Sequence, residues 1–243
     1  MKHVRCQECP LRRLPVFKPN TVEELDFIAA MKREQIHVSA GREIVRQGDC
    51  DPRLYSLLSG WAFRFKTLTD GRRQILNFLL PGDLIGFQAQ LLGDSEHGVE
   101  ALTEVELCVF SRSKIWELYN RYPELAFDIT WLAAHEEGMV DENLVSSGRR
   151  TALEGVAMLL IHLYKRAAAV ELATKDSLDF PITQQHIADA LGISLVHTNK
   201  TLRRLQKLGL FGLDKQRLVL LDRKALQKLA DYFESPIKPR PLI

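Results

Sequence analysis

Residues 181–210 read PITQQHIADALGISLVHTNKTLRRLQKLGL, and their punctuation divides them into two helices and a tight turn. Thr183 can cap a helix with its hydroxyl, and Ile187, Ala188 and Leu191 follow at helical spacing, so residues 183–191 are predicted helical. Gly192 ends that helix because glycine takes the positive φ of a tight C-terminal turn, and Ser194 caps a second helix reaching about residue 208. A turn of about three residues sets two helices at a steep angle. Ala188 is small where they would cross, and Ile193, Leu202 and Leu205 supply a shared core. The second helix carries Lys200, Arg203, Arg204 and Lys207, a face suited to phosphates. The stretch reads as a helix-turn-helix for double-stranded DNA. The plainer alternative is a helical hairpin with a solvated basic face.

Residues 211–233 extend the motif. Phe211, Gly212 and Leu213, a polar turn at Asp214, Lys215 and Gln216, and the run from Arg217 to Leu221 read as a β-hairpin, which makes the unit a winged helix. Asp222 then caps a last helix to about residue 233, with Leu226 and Leu229 inward. Upstream, a helix from residue 149 or 150 to about 171 brings Leu159, Leu160 and Leu163 to the same core, and residues 172–180 are predicted to be a polar loop.

The 243 residues suffice for two compact domains, and 46% hydrophobic with 26% charged residues is an ordinary globular composition. No apolar run approaches the roughly 18 residues of a membrane span, and the polar start lacks a signal-peptide core. No membrane association is expected, and the expected compartment is the cytoplasm. Net charge is only +2, but residues 149–243 hold 16 Lys and Arg against 9 Asp and Glu, whereas the preceding residues hold 17 against 22. A basic C-terminal part behind an acidic N-terminal part fits a nucleic-acid reader joined to a separate sensing domain.

Between residues 36 and 110 short apolar runs alternate with Gly41, Gly48, Gly60, Gly71, Gly82 and Gly93. Regular turns between β-rich segments predict an antiparallel jelly roll. A helix at residues 21–33 precedes it and a short one at 114–122 comes after it. Pro123 then opens a much longer helix to about residue 147. Its Leu125, Ile129, Leu132, Met139 and Val140 form a stripe that neither small domain obviously needs, so this stripe is the expected homodimer seam. The alternative is a helix packed only on its own jelly roll. The fold class is α+β. The expected divisions are a Cys-containing segment at 1–21, the jelly roll at 22–112, the dimerisation helix at 113–147, the winged helix at 148–233 and a loose, proline-rich tail at 234–243.

Jelly rolls also house metal enzymes, which need clustered histidines on inward strands. The seven histidines are scattered, with no His-x-His or His-x-x-x-His pair, and no phosphate-cradling glycine loop is present, so catalysis is not expected.

In this order, a jelly roll, a long dimer helix and a winged helix resemble the Crp/Fnr family of bacterial transcription regulators. The resemblance rests on AGREIVRQGD at 40–49, Leu54-Tyr55 with Leu58-Ser59-Gly60, PGDLIGF at 81–87, GRRTA at 148–152 and the helix-turn-helix. It implies a homodimer on a near-palindromic promoter site, contact with RNA polymerase, and a signal sensed by the jelly roll. The DNA-facing set is then Gln184, Ser194, Leu195, Val196, His197, Asn199, Lys200, Arg203 and Arg204. The family often places Glu and Arg where this chain has Val196 and Lys200. Valine offers a base edge no hydrogen bond, so the usual half-site is not assumed. For Leu195 and Val196 the alternative is core packing.

Members that bind cyclic AMP carry an Arg-Ser pair where this chain has Ser95 and Glu96, and a carboxylate there repels a phosphate, so cyclic AMP is not the expected effector. In oxygen-sensing members an N-terminal Cys cluster and one distant Cys hold a four-iron cluster. Cys6 and Cys9 match the former and Cys108 the latter, but Pro15 stands where a third N-terminal thiol belongs, with Cys50 as the remaining candidate. An iron–sulfur cluster, metal-free thiol redox sensing and no redox role therefore all stay open. Beside the redox-responsive regulator stand a regulator answering a small ligand and a winged-helix protein-interaction module.

Overall fold

The computed structural model describes residues 3–49, 53–88, 93–234 and 239–243, so Cys50 lies outside the described residues. Helix α1 (Val22–Met31) starts at a reciprocal cap: the Thr21 hydroxyl accepts the Glu24 N–H at 3.2 Å, and the Glu24 carboxylate accepts the Thr21 N–H at 2.8 Å. The helix stops before the expected Arg33. Lys32 is already extended and pairs with Phe110 across a sheet, so the ladder takes the backbone groups that another helical turn would need.

Among the described residues eight strands come next: β1 (Lys32–Val38), β2 (Glu43–Val45), β3 (Leu54–Ser59), β4 (Ala62–Thr67), β5 (Arg73–Leu79), β6 (Leu84–Ile85), β7 (Gly98–Ala101) and β8 (Val105–Phe110). They form two four-stranded sheets in the orders β1-β8-β3-β6 and β2-β7-β4-β5, the jelly roll expected from the glycine rhythm. Leu57, Ala62, Val99, Ala101, Val105 and Leu107 fill the space inside with no exposed surface.

Helix α2 (Ile115–Arg121) leads into α3 (Pro123–Gly148). Here the structure corrects the dimer stripe. Leu125 and Ile129 are wholly buried and Leu132 nearly so, in a core shared with Phe27, Ile28, Met31 and Phe110 of the same chain. Met139 is buried as well, and Val140 half-buried. Side chains enclosed by their own chain have no surface for a partner. The outward face of α3 presents Phe127, Thr130, Ala134, Gly138, Asp141 and Val145 instead.

The tail is corrected too. Residues 240–243 are buried, with Leu242 and Ile243 only 3% and 4% exposed, and Ile243 joins the core of α1 and α3. Arg240 pairs in parallel with Phe17: its N–H donates to the Val16 carbonyl at 2.7 Å, and its carbonyl accepts the Lys18 N–H at 2.9 Å. Burying two aliphatic side chains is worth roughly 1.5–3 kcal/mol each, enough to hold a segment whose prolines read as loose.

The chain divides into two compact units, one of Met1–Lys66, Leu79–Gly138 and Lys238–Ile243, the other of Thr67–Phe78 and Met139–Ile237. The division thus falls within α3, whereas the expected boundary lay between residues 147 and 148. In the second unit α4 (Ala152–Ala169) opens on another reciprocal cap, Thr151 with Glu154. Residues 172–180 are not a plain loop. Strands β9 (Ala173–Thr174) and β10 (Ser177–Asp179) turn about Lys175, at φ 45°, and extend the wing sheet. Beyond them lie helices α5 (Gln184–Leu191) and α6 (Leu195–Lys207), then β11 (Phe211–Asp214) and β12 (Arg217–Leu220) in the sheet order β11-β12-β10-β9. The last helix, α7 (Arg223–Leu229), is shorter than expected. Asp231 turns left-handed and the Tyr232 N–H closes back on the Gln227 carbonyl at 2.9 Å, leaving Phe233 exposed. Among the described residues no helix is long and apolar enough to cross a membrane.

His97 is buried in the jelly roll, and burial, followed by the charges of Arg64 and Lys66, lowers its pKa from 6.5 to about 4. The folded state therefore binds this proton less readily than the unfolded chain. Its contribution to stability is complete above about pH 6.5 and is lost as pH falls towards 4, by up to about 3 kcal/mol. All three tryptophans, Trp61, Trp116 and Trp131, lie in the first unit, so urea unfolding followed by their fluorescence reports that unit. The midpoint at pH 5 should lie below that at pH 7, and His97→Gln should shrink the difference.

Candidate nucleic-acid interface

Three local devices set the angle between α5 and α6. The Thr183 hydroxyl accepts the His186 N–H, and His186 Nδ1 accepts the Thr183 N–H, both at 3.2 Å. Burial, then the charge of Arg73, lowers the His186 pKa, which keeps that nitrogen free to accept. Gly192 sits at φ 66°, ψ 28°, the left-handed turn expected, and its N–H returns to the Ala188 carbonyl. The Ser194 hydroxyl accepts the His197 N–H at 3.2 Å and starts α6. Within the same unit, Gln74 Nε2 donates to the Ala190 carbonyl at 2.9 Å, and Arg73 stands 3.6 Å from Asp189. These last two contacts left no trace in the sequence pattern, because nothing local joins residues more than a hundred positions apart.

The two sides of α6 differ sharply. Thr198, Thr201, Leu202 and Leu205 are buried, whereas His197, Lys200, Arg203, Arg204 and Lys207 are exposed. Leu195 is 42% and Val196 65% exposed, so neither is a core residue and the packing alternative for them fails. Gln184 and Ser194 are exposed beside them. Asn199 alone of the expected set is half-buried, with its Oδ1 buried and without a hydrogen-bond partner. No acidic side chain occupies the first turn of α6, so the positive end of the helix is left for an anion. Lys215, at the tip of the β11–β12 hairpin, is a further exposed cation absent from the expected set. Its signal was its place in a predicted wing turn.

The cysteine expectation meets a different geometry. Cys6, Cys9 and Cys108 do line one cavity, with Arg12, Lys32, Leu242 and Ile243 among its other walls. The cavity measures about 20 Å³, room for one water. Burial raises the thiol pKa of both Cys6 and Cys108, against the opposing pull of Lys32 on each. Among the described residues no group of three His, Cys, Asp or Glu side chains is placed to hold a metal ion. With burial disfavouring the thiolate of Cys6 and Cys108 and so small a space between the three sulfurs, the site does not fit an iron–sulfur cluster.

Comparison with known proteins bears on the whole chain. A family model for the cyclic nucleotide-binding domain matches residues 35–122, and one for the Crp-like helix-turn-helix domain matches residues 156–229. The nitrogen fixation regulation protein FixK of Bradyrhizobium diazoefficiens is 30% identical over 93% of this chain and 93% of its own. The chain belongs to the Crp/Fnr family. It is a DNA-binding transcription regulator of that type. The transcriptional activator protein FnrL of Cereibacter sphaeroides is 29% identical over 89% of this regulator and 88% of its own length. Among solved structures, FixK2 from Bradyrhizobium japonicum superposes with a TM-score of 0.73 at 26% identity, covering 83% of this chain and 98% of that one. The helix-turn-helix of α5 and α6 falls within the part of this regulator that the Crp-like model covers.

Proposed function

We propose that the regulator acts in the cytoplasm as a homodimer, each copy laying α6 in a major groove of a near-palindromic promoter site, from which it engages RNA polymerase. The observation that carries this reading is the exposed stripe of Val196, Lys200, Arg203 and Lys207 on α6, opposite a face buried in the domain core. Lys200 is placed to read a base edge, Val196 to pack on a thymine methyl, and Arg203, Arg204 and the wing's Lys215 to meet phosphates. Paired half-sites then lie about 34 Å apart. For the pairing, α3 offers Phe127, Thr130, Ala134, Gly138, Asp141 and Val145, exposed at steps of three or four, the spacing of a two-helix seam. Ala134 and Gly138 are small enough for close approach.

A pool of genomic fragments, selected by the protein and sequenced, gives the site. On that site Lys200→Ala should weaken specific binding more than binding to random DNA. Arg204→Ala should weaken both and reduce the salt dependence by about one unit of slope. Equal loss on both DNAs for Lys200→Ala would remove it from base reading. Ala134→Arg changes an exposed residue, so the chain should stay folded yet sediment as a monomer and lose affinity. A dimer that survives this change pairs through another surface.

The signal, in this proposal, is not a cyclic nucleotide. Arg64 is a buried arginine of the jelly roll, and its Nη1 is already 2.6 Å from Glu136 Oε2 of α3. The loop where cyclic AMP binders supply Arg-Ser instead buries Ser95 and turns Glu96 outward to Lys66, at 3.1 Å. The expected obstacle was the Glu96 carboxylate. The obstacle in this reading is that Arg64 is already engaged by Glu136, so a phosphate would have to compete with a carboxylate for it. Calorimetric titration with cyclic AMP and cyclic GMP should give no binding heat, and micromolar affinity for either would overturn this part.

A further inference from the structure

The tail that closes the thiol cavity is recognised, not merely packed. Arg240 Nη1 donates to Asp83 Oδ1 at 2.6 Å and Nη2 to the Pro81 carbonyl at 3.1 Å, while the guanidinium lies 5.1 Å over the Phe17 ring. The Asp83 carboxylate is itself fixed, its Oδ2 accepting the Leu80 N–H at 2.7 Å. Between these groups stands Gly82 at φ 89°. A Cβ there would come within 2.3 Å of the Phe17 ring and 2.7 Å of Arg240 Nη2, so the backbone leaves room that only glycine allows. Two and three residues further on, Leu242 and Ile243 form part of the wall around Cys6, Cys9 and Cys108, and Arg12 Nη1 donates to the Leu242 carbonyl at 3.3 Å.

We propose that Phe17, Pro81, Gly82 and Asp83 form a receptor for an arginyl-aliphatic peptide, that the chain's own residues 240–243 occupy it, and that this occupancy shields the three thiols from electrophiles and oxidants. The site rests on side chains of the first unit and is independent of how the second unit reads DNA. Its chemical consequence lies in what each neighbour does to the thiols. The tail's aliphatic residues exclude water, which favours the protonated form of Cys6 and Cys108, whereas Lys32 favours the thiolate of both and Arg12 that of Cys6. Lys32 stays put without the tail, since its Nζ donates to the Val4 carbonyl at 2.7 Å. Undocking therefore removes the group that suppresses the thiolate and leaves those that promote it. The thiols gain access and reactivity together.

The experiment is iodoacetamide labelling of the full-length protein, resolved by peptide mass spectrometry, with circular dichroism as the check of fold. Arg240→Ala should speed alkylation of Cys6 and Cys108 by about tenfold or more and move the pH midpoint of their labelling downwards. Arg240→Lys should fall between, since an ammonium can meet Asp83 but lacks the fork that also reaches Pro81. The synthetic pentapeptide Pro-Arg-Pro-Leu-Ile, the sequence of residues 239–243, should slow labelling of the alanine variant again. Equal rates in the folded variant and the unaltered protein, or a peptide without effect, would overturn the receptor. If the variant does not fold, amide exchange of the unaltered protein decides. The Arg240 and Lys18 N–H groups should be protected, and exchange at unfolded-chain rates would sink the proposal.

Discussion

Helix α3 turns one face into its own chain, and much else depends on which face that is. Leu125, Ile129 and Leu132 lock it against α1 and β8, and that burial orients every other side of the helix. Glu136 is brought to the buried Arg64 of the jelly roll, with its carboxylate 2.6 Å from the guanidinium. The opposite side, with small residues at Ala134 and Gly138, is left outward. A helix of 26 residues has room for all three roles because each needs only a strip of its circumference.

The DNA-reading surface rests on a similar division of faces. In α6 every fourth or third residue from Thr198 to Leu205 goes inward, so cations between them have no choice but to face out. Two of those inward residues are threonines, and the hydroxyl of Thr198 is satisfied by the Ser194 carbonyl at 3.1 Å, so the cost of burying a polar group is offset locally. Reciprocal caps at Thr151 and Thr183, with the single cap at Ser194, fix where the helices of this unit begin.

Much of this was legible in the sequence because the signals are local. Caps, left-handed glycines and alternating runs act within a few residues of themselves, so Thr183, Gly192, Ser194 and the glycine rhythm of the jelly roll could be read directly. Periodicity also identified an apolar stripe on α3, but periodicity says only that a face is covered, not by what. The stripe turned out to be covered by residues from α1 and β8, far off in sequence. The tail misled in another way. Three prolines in ten residues read as disorder, yet proline also restricts the unfolded chain and lowers the entropy lost on docking. Its anchors at Phe17, Pro81 and Asp83 lie more than 150 positions away. Likewise Cys6, Cys9 and Cys108 line one cavity, but its size and the burial that raises the pKa of Cys6 and Cys108 belong to packing alone.

A segment that is both ligand and part of the chain obeys different arithmetic from a free one. Tethering gives a docked segment an effective concentration on the order of millimolar at its groove. An intrinsic dissociation constant of about 0.1 mM, weak by the standards of peptide recognition, would then keep the groove filled about nine-tenths of the time. Such an arrangement can be firm on average and still open briefly and often, because the lifetime of a weak contact is short. The tail of residues 240–243 thus sets a duty cycle for the cavity behind it, and a change of one contact at Asp83 or Phe17 alters that fraction without altering the fold.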